Sequence, residues 1–126
     1  MKPLLLEMTD FMSHGHSYID FSLLNNIVLL IGKENGSMSK SNAAGKTTVF
    51  HAIRYALYNA KARQSIEGSI REGAKKCIVL YDFAMPNGKT YRIKRSRSKT
   101  TKEVELFQVD SANYDKDDTN WEKLTD

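Results

Sequence analysis

Residues 26–31 read Asn-Ile-Val-Leu-Leu-Ile and are closed by Gly32. A run without polar alternation needs cover on both faces, as in the central strand of a layered α/β fold, and does not fit a strand with one wet side. Residues 33–44 then form a loop rich in Gly, Ser, Asn and Lys. From Lys46 the apolar residues Val49, Phe50, Ile53, Ala56 and Leu57 recur at helical spacing. The order is buried strand, loop, helix, with the helix ending near Tyr58 and Asn59.

The junction of loop and helix carries the chemistry. Ser41-Asn42-Ala43-Ala44-Gly45-Lys46-Thr47-Thr48 occupies the place of a phosphate-binding loop. Gly45 lets the backbone turn and approach a ligand, so the unpaired N–H groups of the helix start converge on a β-phosphate with the helix dipole behind them. Lys46 then reaches the β- and γ-phosphates as a binding and catalytic residue, and the Thr47 hydroxyl ligates Mg²⁺. The pattern GxxxxGK[ST] asks for a glycine where this chain has Lys40. Gly36 and Gly32 are the nearest candidates. Counted from Gly32 the glycine separation is thirteen, which implies an insertion of about eight residues at 33–40. Such a length increase is tolerable, because loop closure costs only ~0.6 kcal/mol more per doubling.

The rest of the chain reads as strands and hairpins. Residues 4–9 form a first strand, and residues 17–21 a second beside it, with Tyr18 facing one way and Ile19 and Phe21 the other; residues 11–16 turn between them. The polar stretch 61–73 has room for one short helix. Residues 77–83 and 89–95 flank Pro86-Asn87-Gly88, where Asn-Gly supplies the positive φ of a tight turn. Residues 103–109 close a second hairpin whose turn, 96–101, is basic. Trp121 and Leu124 anchor the acidic end.

Composition excludes several classes. At 126 residues and 40% hydrophobic content the chain can bury a core. Its longest aliphatic run, residues 27–31, is far short of the roughly twenty that a spanning helix needs, and the apolar stretch at the start is too short for a signal peptide; the expectation is a soluble, cytoplasmic protein. One cysteine, Cys77, reads as a core filler in its strand, and three scattered histidines lack zinc spacing. The net charge of +4 divides unevenly: residues 1–109 carry seventeen basic against nine acidic side chains, and residues 110–126 carry two against six, giving +8 and −4. Arg92, Lys94, Arg95, Arg97, Lys99 and Lys102 fall together with no acid among them, a local field attractive to phosphate. His51 and Arg54 read as surface or packing residues of the helix. Lys61, Arg63 and Arg71 are within sequence reach of nucleotide or DNA phosphate.

Several segments in order resemble the N-terminal lobe of the SbcC-type ATPases, the SMC-like branch of the ABC superfamily that acts in DNA double-strand-break processing. They are Lys2-Pro3-Leu4 through Asp10-Phe11, Ile19-Asp20-Phe21, the loop from Ser41 to Thr48 leading into Ala52-Ile53-Arg54-Tyr55-Ala56-Leu57-Tyr58, Ile70-Arg71-Glu72-Gly73-Ala74, Gly88-Lys89-Thr90-Tyr91-Arg92-Ile93-Lys94-Arg95-Ser96-Arg97, and the closing residues 121–126. The resemblance implies a P-loop NTPase of α/β class: an ABC/SMC-like head lobe spanning residues 1–126, with a mixed β-sheet, β-hairpins and a P-loop helix. It implies ATP and Mg²⁺ as cofactors, bound by Gly32, Ser41, Asn42, Ala43, Ala44, Gly45, Lys46, Thr47 and Thr48, with Ser13 and Arg63 beside them.

The family's coiled coil, signature segment and Walker B carboxylates are not in this chain, so the lobe alone is expected to hydrolyse little ATP. The implied partners are the C-terminal lobe of the same protein, a second copy through ATP, an SbcD-type metallophosphoesterase nuclease and DNA, near the nucleoid, with no membrane. Arg95, Arg97 and Lys99 are the candidates for DNA backbone contact. Two departures stand out: Met12 occupies a place where the family often has a basic residue, and Ala43 with Ala44 replaces the usual pair that includes glycine. Other readings are an SMC- or RecF-like DNA clamp with little or no hydrolysis, and a small P-loop kinase, against which the run of hairpins counts.

Overall fold

The computed structural model of the chain describes residues 1–12, 14–21, 48–59, 70–117 and 119–125. These hold one helix, α1 (Thr48–Tyr58), and a six-stranded sheet of β1 (Lys2–Phe11), β2 (His14–Asp20), β3 (Lys76–Ala84), β4 (Lys89–Ser98), β5 (Lys102–Asp110) and β6 (Glu122–Lys123). The strand order is β2-β1-β3-β4-β5-β6, and every pair is antiparallel. The expected sheet was mixed. Its parallel member would come from residues 26–31, which lie outside the described residues, as does most of the polar stretch 61–73 apart from Ile70, whose backbone bridges to Phe11, and the residues that follow it.

Period-two alternation fixes the two faces. Pairing aligns Ile19, Leu6, Tyr81, Ile93 and Leu106 across five strands as one apolar row. The next row on that face is Ser17, Met8, Val79, Arg95 and Val104. Helix α1 packs on this face. Val49, Ala52, Tyr55 and Ala56 join Leu6, Met8, Phe11, Cys77, Val79, Tyr81 and Ile93 in one buried cluster. Full burial of each large apolar side chain stabilises by about 1.5–3 kcal/mol. The Tyr55 ring stacks on Phe11 at 5.6 Å. Cys77 is fully buried, as expected of a filler, and burial pushes its thiol above the ordinary value.

Phe50 departs from the helical expectation: it is 59% exposed. With about 100° between successive residues, the face formed by Val49, Ala52, Tyr55 and Ala56 points Phe50 away. Ala52, not among the expected residues, joins Ala56 there, and the small side chains of both let the helix come close to the sheet.

The hairpins lie where the sequence puts them. Of the expected Asn-Gly pair only Gly88 takes positive φ, at 80°, so the β3–β4 connection ends in a left-handed glycine. Asn87 supplies a side-chain acceptor instead: the Lys89 N–H donates to its Oδ1 at 2.9 Å. The β4–β5 turn is held by Ser98, whose Oγ accepts from the Thr100 and Thr101 N–H groups at 3.2 and 3.0 Å. The first turn is shorter than expected, since β1 runs to Phe11 and β2 begins at His14. Met12 there has φ 53° and packs against the core cluster.

The acidic end folds back over the opposite face. After a 3₁₀ turn at Ser111–Asn113, Tyr114 and Lys116 reach β3 and β2, and Trp121 packs on Phe107 before β6 pairs with β5. Leu124, expected as an anchor, is 44% exposed and is tied by its backbone, its N–H donating to the Leu106 carbonyl at 2.7 Å.

Candidate functional site: the start of α1 and the β4–β5 hairpin

Among the expected nucleotide residues, Thr48 lies in the described structure; Ser13, Gly32, Ser41, Asn42, Ala43, Ala44, Gly45, Lys46, Thr47 and Arg63 lie outside it. Thr48 is the first residue of α1 and is buried. In the sequence, Thr48 follows Gly45-Lys46-Thr47. The first turn of α1 contains no acidic side chain, so nothing on the helix itself offsets the positive end of the dipole. Ala52 and Ala56, both at 0% exposure, seat the helix on the sheet.

At the far end, Asn59 takes φ 55° and its N–H donates to the Tyr55 carbonyl at 2.9 Å, an αL termination. The Arg95 Nε donates to the Ala56 carbonyl at 3.1 Å. Its guanidinium lies over the Tyr55 ring, 5.9 Å from the centroid. Burial lowers Arg95 from its ordinary value and pushes Tyr55 well above the usual phenol range.

Five of the six residues of the basic cluster divide three ways once it is folded, while Lys94 is exposed opposite Glu105. Arg92 faces away from α1 and forms a two-bond pair with Asp82 (2.7 and 2.8 Å) on the opposite side of the sheet. Arg95 is turned to the helix. Arg97, Lys99 and Lys102 occupy the hairpin end, where Arg97 and Lys102 stand directly across from each other. Like charges in that position repel, and among the described residues no carboxylate pairs with any of the three. Two lysines join them that composition alone did not single out. Register sets Lys76 opposite Ser98, with Lys75 beside it, both exposed. The signal for them was the Pro86-Asn87-Gly88 turn, because a hairpin register counted outward from it pairs residue 76 with the end of the basic run.

Other expectations are smaller. Arg71 lies 3.8 Å from Asp10, and its backbone N–H donates to the Asp10 carbonyl at 2.8 Å, so it is engaged with the end of β1. His51 is half-buried and Arg54 exposed. Among the described residues no group of His, Cys, Asp and Glu could hold a metal ion, and no helix is long and apolar enough to cross a membrane.

A family model described as an AAA domain matches residues 5–126. The chain is 34% identical over 110 residues to a "DNA double-strand break repair Rad50 ATPase" of Thermoplasma acidophilum, covering 85% of this chain and 11% of that protein. It is 37% identical over 90 residues to the protein of the same name from Methanocaldococcus jannaschii, covering 71% and 8%. It is 30% identical over 129 aligned positions to the SbcC component of the SbcCD nuclease of Staphylococcus aureus, covering 91% and 12%. The chain spans about a tenth of the length of these curated relatives. With these matches over most of its length, the chain belongs to the AAA domain family and is similar in sequence to the Rad50 and SbcC ATPases.

Proposed function

We propose that the chain is the ATP-binding N-terminal lobe, residues 1–126, of an SbcC-type ATPase head that drives DNA double-strand-break processing. The observation that carries this reading is the sequence Gly45-Lys46-Thr47 leading into the residues of α1, in a chain similar along most of its length to proteins named as double-strand-break repair ATPases. Gly45 and the helix N–H groups receive the β-phosphate, Lys46 bridges to the γ-phosphate, and the Thr47 hydroxyl holds Mg²⁺. Gly32 ends the strand that leads into the loop; Ser41, Asn42, Ala43, Ala44 and Thr48 complete its wall, with Ser13 and Arg63 at its margin.

Positioning phosphate is only part of the catalysis. Without a carboxylate to orient water and without a donor from an opposing lobe, most of the transition-state stabilisation is missing. The partners in this reading are therefore the C-terminal lobe of the same protein, a second copy closing over ATP, an SbcD-type nuclease and DNA, in the cytoplasm at the nucleoid. A steady-state ATPase assay is expected to give turnover from the complete protein and next to none from residues 1–126. Normal turnover from the lobe alone would refute the split-site reading.

DNA contact is assigned to the hairpin end, at Arg97 and Lys99, with Arg95 acting behind them rather than on DNA. Each phosphate contact contributes about 0.9 to the slope of log affinity against log salt on duplex DNA. The double variant R97Q/K99Q is expected to lower that slope by about 1.8 and to weaken binding equally across sequences. An unchanged slope would take the hairpin out of the DNA interface.

A further inference from the structure

We propose that Arg95 is a positioning residue for the nucleotide: it clamps the C-terminal end of α1 to strand β4 and so holds the phosphate-binding end of the helix in place. This rests on the phosphate-loop reading above, and it moves Arg95 out of the set of DNA contacts.

The last four carbonyls of a helix have no partner within it. In α1 the Tyr55 carbonyl is taken by the Asn59 N–H, and the Ala56 carbonyl by Arg95, at 3.1 Å. The helix brings no basic residue of its own to its last turn. Arg95 supplies that cation from the sheet, against the negative end of the dipole.

Its position on the sheet is otherwise unsuited to a charge. Arg95 stands in the face-defining row between Val79 and Val104, under the helix, where an apolar residue would be the simple choice. A guanidinium desolvated there needs partners, and it has the Ala56 carbonyl and the Tyr55 ring. Because Tyr55 also stacks on Phe11, the same contact ties α1 to β1 and β4 at once.

Geometry makes the far end sensitive. An eleven-residue helix is about 16 Å long, so a tilt of about four degrees at Arg95 moves the phosphate end by about 1 Å. A displacement of that size is enough to spoil a set of converging N–H donors. Strand β4 also carries Arg97 onward to the hairpin, so one strand joins the clamp to the outer cations.

The test uses the complete protein, with ATPγS as the probe in calorimetric titration and ATP in steady-state kinetics. R95Q is expected to weaken ATPγS binding by about 5- to 30-fold and raise KM for ATP with kcat nearly unchanged. R95K, which returns a cation to the helix end, is expected to recover part of the affinity. The salt slope of DNA binding should stay at the wild-type value. W121A, on the opposite face, controls for general loss of stability: it should lower Tm while leaving ATPγS affinity within about twofold. The proposal is overturned if R95Q binds ATPγS like wild type, if R95Q and W121A lose affinity in proportion to their loss of Tm, or if R95Q lowers the DNA salt slope by about one. K46A separates the two levels. If K46A weakens ATPγS binding as expected while R95Q does not, the clamp alone fails; if K46A has no effect, the phosphate-loop reading fails and the clamp with it.

Discussion

Lys46→Ala in the complete protein is expected to weaken ATP binding by about 10- to 100-fold and to abolish measurable hydrolysis. A hydrogen bond to a charged group contributes about 1.5–3 kcal/mol, which is that range in Kd. The larger effect on turnover follows because negative charge grows on the γ-phosphate oxygens and leaving group during transfer, so a cation placed there stabilises the transition state more than the bound substrate. Lys46→Arg is not expected to rescue, since a planar fork needs more room than a compact ammonium among converging N–H groups. Titration with ATP in Mg²⁺ and in EDTA tests this directly. Unchanged affinity in Lys46→Ala would mean that Gly45-Lys46-Thr47 is not a phosphate loop.

That prediction rests on local sequence, and local sequence was informative about much of the fold. Strands β3, β4 and β5 were legible from the turns between them: β3 and β5 each gain one residue at both ends, and β4 starts at Lys89 as expected and runs three residues further. Alternation of Tyr18 against Ile19 and Phe21 was also realised: Tyr18 is 52% exposed, while Ile19 and Phe21 pack against the core. What alternation could not give was partnership. The row from Ile19 to Leu106 exists only because register brings five strands together, and no local pattern fixes which strand lies beside which.

The basic run shows the same limit in chemical terms. Along the sequence Arg92, Arg95 and Arg97 are equivalent charges in one field. Folded, the period of two sends Arg92 to one face and Arg95 and Arg97 to the other, and distant groups then separate them: Asp82 takes the first and the Ala56 carbonyl the second. Phe50 was misassigned for a related reason. Scoring helical periodicity by hydrophobic bulk overweights a phenylalanine and passes over Ala52, whose small size is what suits it to the contact. Of the nucleotide-site residues, the structure describes Thr48 at the helix start, so the rest of that site stands on sequence pattern and similarity.

Asp82→Ala is expected to be the most destabilising single substitution on the face opposite α1, at about 3 kcal/mol, the lower end of the range for breaking a buried ion pair. Asp82 is at 0% side-chain exposure and its partner Arg92 at 18%, which leaves the stranded guanidinium some access to water. The carboxylate is fully used: Arg92 donates to both oxygens, and the Tyr114 hydroxyl donates to Oδ2 at 2.8 Å. Burial by itself would lower Arg92, but the Asp82 hydrogen bonds and charge more than offset it, and the net shift is upward. Burial and then the same hydrogen bond hold Tyr114 above the ordinary phenol value. The acidic end depends on this cluster, because Arg92 also donates to the Lys116 carbonyl at 3.2 Å and lies 4.8 Å from the Trp121 ring centroid. Loss of Asp82 should therefore detach residues 114–121 first, seen as faster hydrogen exchange there and greater exposure of the Trp121 fluorescence. Replacing both partners, Asp82→Leu with Arg92→Met, should cost far less, within about 1 kcal/mol either way, because no charge is left without a partner. A double variant as unstable as Asp82→Ala would show that the cluster contributes net stability; a stable single variant would show that the pair is worth no more than one on the surface. In either case ATP affinity should hold in the variants that fold, since the sheet separates this cluster from α1.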